Sequence, residues 1–406
     1  MNELSYRRTC NLSSATSAAS APLRLPWEVA NRLMRSRIVG GHCPGQVAAT
    51  MSHMLVLPVI DVAGSPRAMG QAYGEAARDL IRGFMPDRLR AGRVFVRERR
   101  REGDLLATGA TCLGFVKTWD PAGWDEHQGV AAGAGVDPIE LFTACNLTDV
   151  RDVAAFRPAP ASAESEGCTT VIIPADRSAT GAIIAAQTWD LNPPDVNFVI
   201  ALRRRPDHGP ATVSITCAGC PNLVGINAEG LAFGTTNLKV HGVRPGVPYL
   251  PILQRISRCR TRSEAATILQ SAPRAAAHSY WFADATGSED WECTATSAVR
   301  RTGGPLCRTN HCLMPDHAAR EDEPATSSSR ARLAFATKFL SRAQMTVADV
   351  RAFFSDRSQG NDSVNRYAED GTGTATNACI ITEPAARRLH ACRGPADRGQ
   401  WIELTV

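Results

Sequence analysis

Lysine is nearly missing from this chain: of 45 basic residues, only Lys117, Lys239 and Lys338 are not arginine. Against 40 acidic residues they leave a formal net charge of +5, which is mild for 406 residues. No basic stripe interleaves with aromatics, so the usual nucleic-acid footprint is absent. The arginine excess, with abundant alanine, reads instead as the codon bias of a GC-rich genome. Aromatics make up only 6%, and no charged motif marks a carboxylate, phosphate or coenzyme site. No apolar run reaches the roughly 20 residues of a bilayer-spanning helix, and no segment repeats. Metal-binding spacing is lacking too, because Cys217-Ala218-Gly219-Cys220 is a lone pair without a second pair at zinc-ribbon distance. The 13 cysteines are odd in number and scattered, which argues against a complete disulfide framework and for reduced thiols in a cytoplasm. Neither a metal nor a cofactor is expected.

What is present is a globular composition, 44% hydrophobic and 21% charged, in a chain long enough for one large domain or two ordinary ones. Residues 1–53 are rich in Ser, Ala and Arg and poor in acids. They read as a disordered extension or as the product of an upstream start codon preferred over Met51 or Met54; the composition loosely suggests a transit peptide, but without a convincing amphipathic helix. Residues 54–167 read as a mainly helical segment. A strand at 55–62 turns at Gly64-Ser65-Pro66 into a helix carrying Met69, Tyr73, Ala76, Ala77 and Leu80 on one side. Asp137-Pro138-Ile139-Glu140 opens a further helix, with an acidic N-cap, proline at the first helical position and a glutamate placed to close a capping box. The small, polar stretch 158–166 suits an exposed, cleavable linker.

From residue 168 the texture changes to strands. Segments 169–174 and 182–189 read as a hairpin. Strands follow at 198–202, 212–217, 223–227 and 231–235, helices at 250–257 and 261–269, and strands at 279–283, 291–294 and 298–302. A polar loop at 316–329 leads to helices at 333–340 and 347–354, and a hairpin at 376–382 and 387–393 closes the chain. Helices gathered around long antiparallel strand sets predict a layered α+β architecture, with a sheet sandwich between helical layers.

The chain is organised around Glu166-Gly167-Cys168-Thr169-Thr170. A cysteine that follows glycine, opens an extended segment and lies deep inside the chain marks a peptide bond to be cut, which would make Cys168 a new N-terminus. An α-amine titrates at about 7.7–8.0 and a thiol at about 8.5, so on such a residue the amine can take the thiol's proton near neutral pH. Gly167 lacks the Cβ that would resist the strained backbone this attack requires. Cys168 also has a plain structural reading, as one more buried small hydrophobe.

Three later stretches hold polar residues that chemistry at Cys168 could use. Asp190, in Thr188-Trp189-Asp190, ends the strand paired with that of Cys168, where it would orient and electrostatically hold the new amine. Asn310, in Arg308-Thr309-Asn310-His311-Cys312, ends another strand and could donate its amide to an oxyanion. Arg366, in Ser363-Val364-Asn365-Arg366, could pair with a carboxylate of the site. Taken singly, each has a structural alternative: turn chemistry, a satisfied loop backbone, a solvated arginine.

Taken together, Gly167-Cys168-Thr169-Thr170, Gln187-Thr188-Trp189-Asp190, Gly225-Ile226-Asn227-Ala228-Glu229-Gly230-Leu231, Gly246-Val247-Pro248 and Thr309-Asn310-His311-Cys312-Leu313 resemble, in this order, one known family. It is the penicillin acyltransferase family, the acyl-coenzyme A:aminopenicillanic acid acyltransferases and their relatives within the N-terminal nucleophile hydrolases. The likeness continues upstream through Gly64-Ser65-Pro66, Gly70, Gly74 and the capped helix at 137–140, and so covers about residues 54–395. It implies a four-layer αββα fold, made as an inactive precursor that cuts itself between Gly167 and Cys168. Residues 54–167 would then form a helical α-chain and residues 168–406 the catalytic β-chain of a heterodimer, with higher oligomers left open. By the matching motifs Cys168 is the nucleophile, Asp190 the aspartate beside it and Asn310 the oxyanion donor, while Arg366 falls in a stretch resembling the family's site-arginine region. The chain departs from the family at Ala186-Gln187-Thr188-Trp189-Asp190, where Gly-Gln-Asn-Trp-Asp is usual. It also has a longer hairpin turn at 174–181, expected to alter only the surface.

The chemistry this implies is acyl transfer through a Cys168 acyl-enzyme, from an amide or thioester to water or an amine. Hydrolysis is slightly favoured. The substrate class is an N-acyl amide of a small amine, amino acid or peptide-like metabolite, with acyl-coenzyme A as a candidate thioester; no nucleic acid and no membrane is expected as a partner. Two other classes stay open: a catalytically silent binding protein with the same fold, and a redox or metal module built on Cys217, Cys220, Cys307 and Cys312.

Overall fold

The computed structural model describes residues 54–98, 104–155, 167–321 and 326–406. The extension expected at 1–53 and the linker expected at 158–166 lie outside the described residues. Before Gly167 the chain forms β1 (Val59–Gly64), α1 (Pro66–Ala76), α2 (Arg78–Glu98), α3 (Leu105–Trp119), α4 (Pro121–Ala134), α5 (Pro138–Cys145) and α6 (Leu147–Ala155). After it come β2 (Thr169–Ile173), β3 (Ile184–Leu191), β4 (Val199–Pro206), β5 (Thr212–Cys217), β6 (Val224–Asn227), β7 (Ala232–Asn237), α7 (Tyr249–Ile256), α8 (Arg262–Ser271), β8 (His278–Asp284), β9 (Gly287–Cys293), β10 (Ala298–Thr302) and β11 (Leu306–Arg308). The chain ends with α9 (Pro315–Ala318), α10 (Ser327–Leu340), α11 (Val347–Phe354), β12 (Ala375–Glu383), β13 (Arg388–Arg393) and β14 (Ile402–Thr405). All described residues belong to one unit, Ser52–Val406. No helix among them is long and apolar enough to cross a membrane.

The strands form two sheets, ordered β1-β4-β5-β6-β7-β8-β9-β10 and β11-β2-β3-β12-β13-β14. Successive side chains of a strand point to opposite faces, and here the faces bury different cores. On β8, Trp281 and Ala283 enter one cluster while Tyr280 and Phe282 enter another. On β2, Ile172 joins the same cluster as Trp281, whereas Val171 and Ile173 pack with Phe339, Phe353 and Phe354 of α10 and α11. The cluster common to both sheets is therefore the filling between them. The outer face of the eight-stranded sheet lies under α3, α6, α7 and α8, and that of the six-stranded sheet under α10 and α11. This is the four-layer αββα sandwich.

The helices before Gly167 are built into the sandwich. Asp137 caps α5 by accepting the N–H groups of Ile139 and Glu140 at 2.8 and 2.9 Å. Helices α1 and α4 meet through glycines, since a Cβ at Gly70 would lie 2.0 Å from the Glu126 carbonyl oxygen and one at Gly74 2.2 Å from that of Val130. The helix expected to run on to Leu80 breaks at Ala77, where the backbone leaves helical geometry. The long turn at 174–181 reaches beyond the surface: Met345 N–H donates to the Arg177 carbonyl and Ala179 N–H to that of Met345, both at 2.9 Å, and Ser178 is buried. This insertion anchors the approach to α11.

Candidate active site

Strand β2 starts directly after Cys168, and β3 runs antiparallel to it with Thr169 opposite Thr188. That register brings Asp190 beside Gly167, whose N–H donates to the Asp190 carbonyl at 3.2 Å. Thr188, at the departure from the expected motif, accepts the Thr169 N–H on its Oγ1 at 3.1 Å and so helps fix the start of β2. Cys168 itself is 6% exposed. A Cβ on Gly167 would lie 2.6 Å from Nη1 of Arg366 and 2.9 Å from Oδ2 of Asp190, closer than real Cβ contacts come. Glycine is needed here because two charged side chains press against the bond before Cys168.

Those charges are buried. Asp190 is fully enclosed, and desolvation pushes its carboxyl up to about 6 although Arg366 and Arg332 pull it down. Thr188 and Thr376 lie close enough to lower it further, yet neither carboxylate oxygen has a partner in good hydrogen-bond geometry among the described residues. Arg366 donates through Nη2 to Ser328 Oγ at 3.0 Å and to the Asn361 carbonyl at 3.3 Å, while its Nε and Nη1 have no partner among the described residues. Buried polar groups are normally satisfied. A carboxylate and a guanidinium left partly unsatisfied on either side of Gly167 mark a place where another group belongs.

Asn310 reaches the same place from β11. Arg332 of α10 donates through Nη1 to the Cys168 carbonyl at 2.6 Å and to Thr169 Oγ1 at 3.0 Å, and through Nη2 to Asn310 Oδ1 at 3.1 Å. This last bond fixes which end of the Asn310 amide is nitrogen. Nδ2 places one hydrogen on the Asn237 carbonyl at 3.3 Å, which leaves the second for a ligand. Arg332 is fully buried, and desolvation followed by the Arg366 charge lowers its pKa to about 10, against the pull of Asp190 and Cys168. The loop carrying Asn310 is held from behind: Glu292 accepts the N–H groups of Leu313 at 2.7 Å and Met314 at 3.1 Å. Ser329 Oγ accepts the Asn310 N–H at 3.0 Å and lies 2.7 Å from Nδ1 of His311. His311 is a loop holder; burial and the Arg308 charge hold its pKa down at about 4.

Cys168 and Asp190 line a narrow cleft, with Trp189, Leu223, Asn237 and His278 in its walls. The family model of the acyl-coenzyme A:6-aminopenicillanic acid acyl-transferases matches residues 177–397. The chain belongs to this family. It is thereby an enzyme of the acyltransferase type, and its αββα sandwich is the N-terminal nucleophile hydrolase fold that the resemblance implied. The matched span holds Asp190, Asn310, Arg332 and Arg366, and starts downstream of Gly167 and Cys168. Among solved structures the chain is similar to a mutant of conjugated bile acid hydrolase from Clostridium perfringens, at 11% identity and a TM-score of 0.39 over 59% of this chain and 92% of that one. It is also similar to penicillin V acylase from Agrobacterium tumefaciens, at 13% identity and a TM-score of 0.37 over 59% and 86%. No curated protein matches significantly.

All four residues singled out in the sequence, Cys168, Asp190, Asn310 and Arg366, thus converge on the bond after Gly167, including Arg366, whose alignment was the loosest. Arg332 was missed, because the expected helix began at Leu333, whereas α10 starts at Ser327. Its signal was periodic: Arg332 shares a buried helix face with Ala336, Phe339 and Leu340. The four cysteines of the alternative metal module do not gather. Cys217 and Cys220 face the Tyr73 hydroxyl through their carbonyls, Cys307 pairs with Thr337, and Cys312 packs with Leu238, Val240 and Ala277. Among the described residues no group of three or more His, Cys, Asp or Glu side chains could hold a metal ion.

Proposed function

We propose that the chain is a precursor that cuts itself between Gly167 and Cys168 and then works as a cysteine amidohydrolase or acyltransferase. The observation that carries this reading is Asp190: its buried carboxylate, without a well-aligned partner at either oxygen among the described residues, lies against the very bond whose cleavage would create an amine. In the precursor the Cys168 thiol attacks the Gly167 carbonyl. The C–N bond breaks as the C–S bond forms, and the thiol proton ends on the departing nitrogen. Water then hydrolyses the thioester, leaving a Gly167 carboxylate and a Cys168 with free thiol and amine. The amine next to Asp190 supplies the missing ion-pair partner.

In the mature enzyme the Cys168 amine takes the thiol proton and the thiolate attacks an amide or thioester carbonyl. The second hydrogen of Asn310 Nδ2 meets the oxyanion, a contribution of about 3–4 kcal/mol to the barrier in comparable sites. The ammonium returns its proton to the leaving amine, and water or an acceptor amine releases the acyl group. Hydrolysis of an N-acyl amide is the favoured outcome, with acyl-coenzyme A as a candidate donor for transfer. Residues 54–167 stay bound as the α-chain: the buried pairs Arg88–Asp195 at 3.1 Å and Arg204–Glu126 at 2.7 Å each join the two sides of the cut. A cytoplasmic setting fits cysteines of which none, among the described residues, is in a disulfide.

Intact mass spectrometry and N-terminal sequencing test the reading. Active wild-type protein is expected as two fragments, the larger beginning at Cys168, and Cys168→Ala as a single chain without amidase activity. A processed Cys168→Ala protein, or active enzyme with no terminus at Cys168, would refute it.

A further inference from the structure

The cleft at Cys168 holds a second polar group that the acyl-transfer chemistry leaves unused. His278, the first residue of β8, is 2% exposed, and its Nε2 lies 2.7 Å from Oδ1 of Asp149 on α6. Oδ2 of Asp149 accepts the Tyr249 N–H at 3.0 Å, and the Tyr249 ring stacks on the imidazole with centroids 4.4 Å apart. With both its oxygens accepting, Asp149 is a carboxylate and Nε2 carries hydrogen. The ring is thereby fixed in orientation and tautomer. Its other nitrogen, Nδ1, is buried and has no hydrogen-bond partner among the described residues. A buried N–H without an acceptor is rarer and costlier than a lone pair without a donor, so Nδ1 is an acceptor waiting for a donor.

Its position ties it to the reacting carbonyl. His278 and Asn237 are directly opposite on β8 and β7, which puts their Cβ atoms about 4.5–5.5 Å apart on one face of the sheet. The Asn237 carbonyl in turn holds Nδ2 of Asn310. The cleft also has two kinds of wall. Trp189, Leu191 and Leu223 belong to the core between the sheets, whereas His278 stands with Tyr249 and Asp149 under the helices.

We propose that Nδ1 of His278, held by Asp149, determines the specificity of the Cys168 site by accepting a hydrogen bond from an O–H or N–H on the amine half of the substrate. The acyl half lies along Trp189, Leu191 and Leu223. The substrate class is then N-acyl derivatives of amines that carry a donor, such as amino alcohols or amino amides, rather than of simple alkylamines. The naming of the two halves rests on the acyl-transfer reading of Cys168; the hydrogen bond itself does not.

Titration calorimetry on the purified full chain tests this with sulfonamides, which a cysteine nucleophile does not cleave. N-(2-hydroxyethyl)hexanesulfonamide is compared with N-propylhexanesulfonamide, its match with methyl for hydroxyl, and a second pair one methylene longer covers the reach. The hydroxyl member of one pair is expected to bind about 10–100-fold tighter. His278→Gln keeps a donor for Asp149 but has no atom at the place of Nδ1, and its ratio should fall to about 1. In wild-type protein labelled with nitrogen-15, the hydroxyl ligand should shift the Nδ1 resonance and the methyl ligand should not, a readout that needs no variant. Equal affinities within both pairs, absence of binding, or a His278→Gln ratio like wild type would overturn the inference. Fragment masses of the same preparation report on Cys168 separately. Two fragments with equal affinities sink the His278 inference alone, and one uncut chain with the preference intact sinks only the self-processing.

Discussion

Asp190→Asn in the uncut Cys168→Ala chain isolates the electrostatics of the site with almost no change in volume. Burial holds the Asp190 carboxyl at about 6, against about 3.9 in an unfolded chain. Below about pH 3 both states keep the proton. As pH rises, the unfolded chain releases it first, so the native state binds more protons up to about 6 and stability falls through that window. Two pKa steps at about 1.4 kcal/mol each give about 3 kcal/mol lost by pH 7. The asparagine variant lacks this titration. The stability of the aspartate chain minus that of the asparagine chain should therefore fall by about 3 kcal/mol between pH 3 and pH 7, a difference in which the other carboxylates cancel. Urea denaturation at four pH values measures it. A difference that stays flat or rises would show that Arg366 and Arg332 outweigh burial, and the unmet need assigned to Asp190 would vanish. In processed wild type the new ammonium should flatten the dependence, because it lowers the carboxyl back toward its ordinary range.

Three further outcomes follow from the same geometry. Asn310→Ala should lower kcat about 100–1,000-fold on an N-acyl amide with little change in KM; steady-state kinetics with an unchanged kcat would remove Asn310 from the oxyanion site. Gly167→Ala must fit a Cβ 2.6 Å from Arg366 Nη1, so the precursor should lose about 1–3 kcal/mol and its fragments should appear more slowly in a mass time course; cleavage at the wild-type rate would contradict this. Arg332→Met releases the Cys168 carbonyl, Thr169 and Asn310 together, and should cut kcat by about 10-fold or more, with no rescue by Arg332→Lys because one ammonium cannot reach all three partners. Full activity in the lysine variant would reduce Arg332 to a buried charge without a positioning role.

How much of this could be read from the sequence depended on how far apart in the chain the cooperating residues lie. Cys168 and Asp190 sit in one hairpin, and a hairpin's register follows from alternation and turn length, so their meeting was legible. Asn310 was legible as a motif, but its orientation was not, since Arg332 comes from a helix whose first turns are serine and arginine and lack an apolar stripe. The helix expected at 347–354 forms over the same residues as α11, closed by a capping box of Thr346 and Asp349, because caps are local chemistry. His278 and Asp149 are 129 residues apart, and nothing local in either stretch announces the pair. The turn at 174–181 looked like surface for the same reason: its anchor at Met345 comes from a distant loop.

Strand β1 precedes the proposed cut, yet it is hydrogen-bonded in parallel to β4, which follows it. Hydrolysis at Gly167 would thus turn a ladder within one molecule into a ladder between two. Regaining the structure after denaturation would become a bimolecular encounter, slowing as the protein is diluted, whereas the uncut Cys168→Ala chain would refold at a rate indifferent to concentration. The strand at the rim of the larger sheet would record, in the kinetics of renaturation, whether the backbone had been severed.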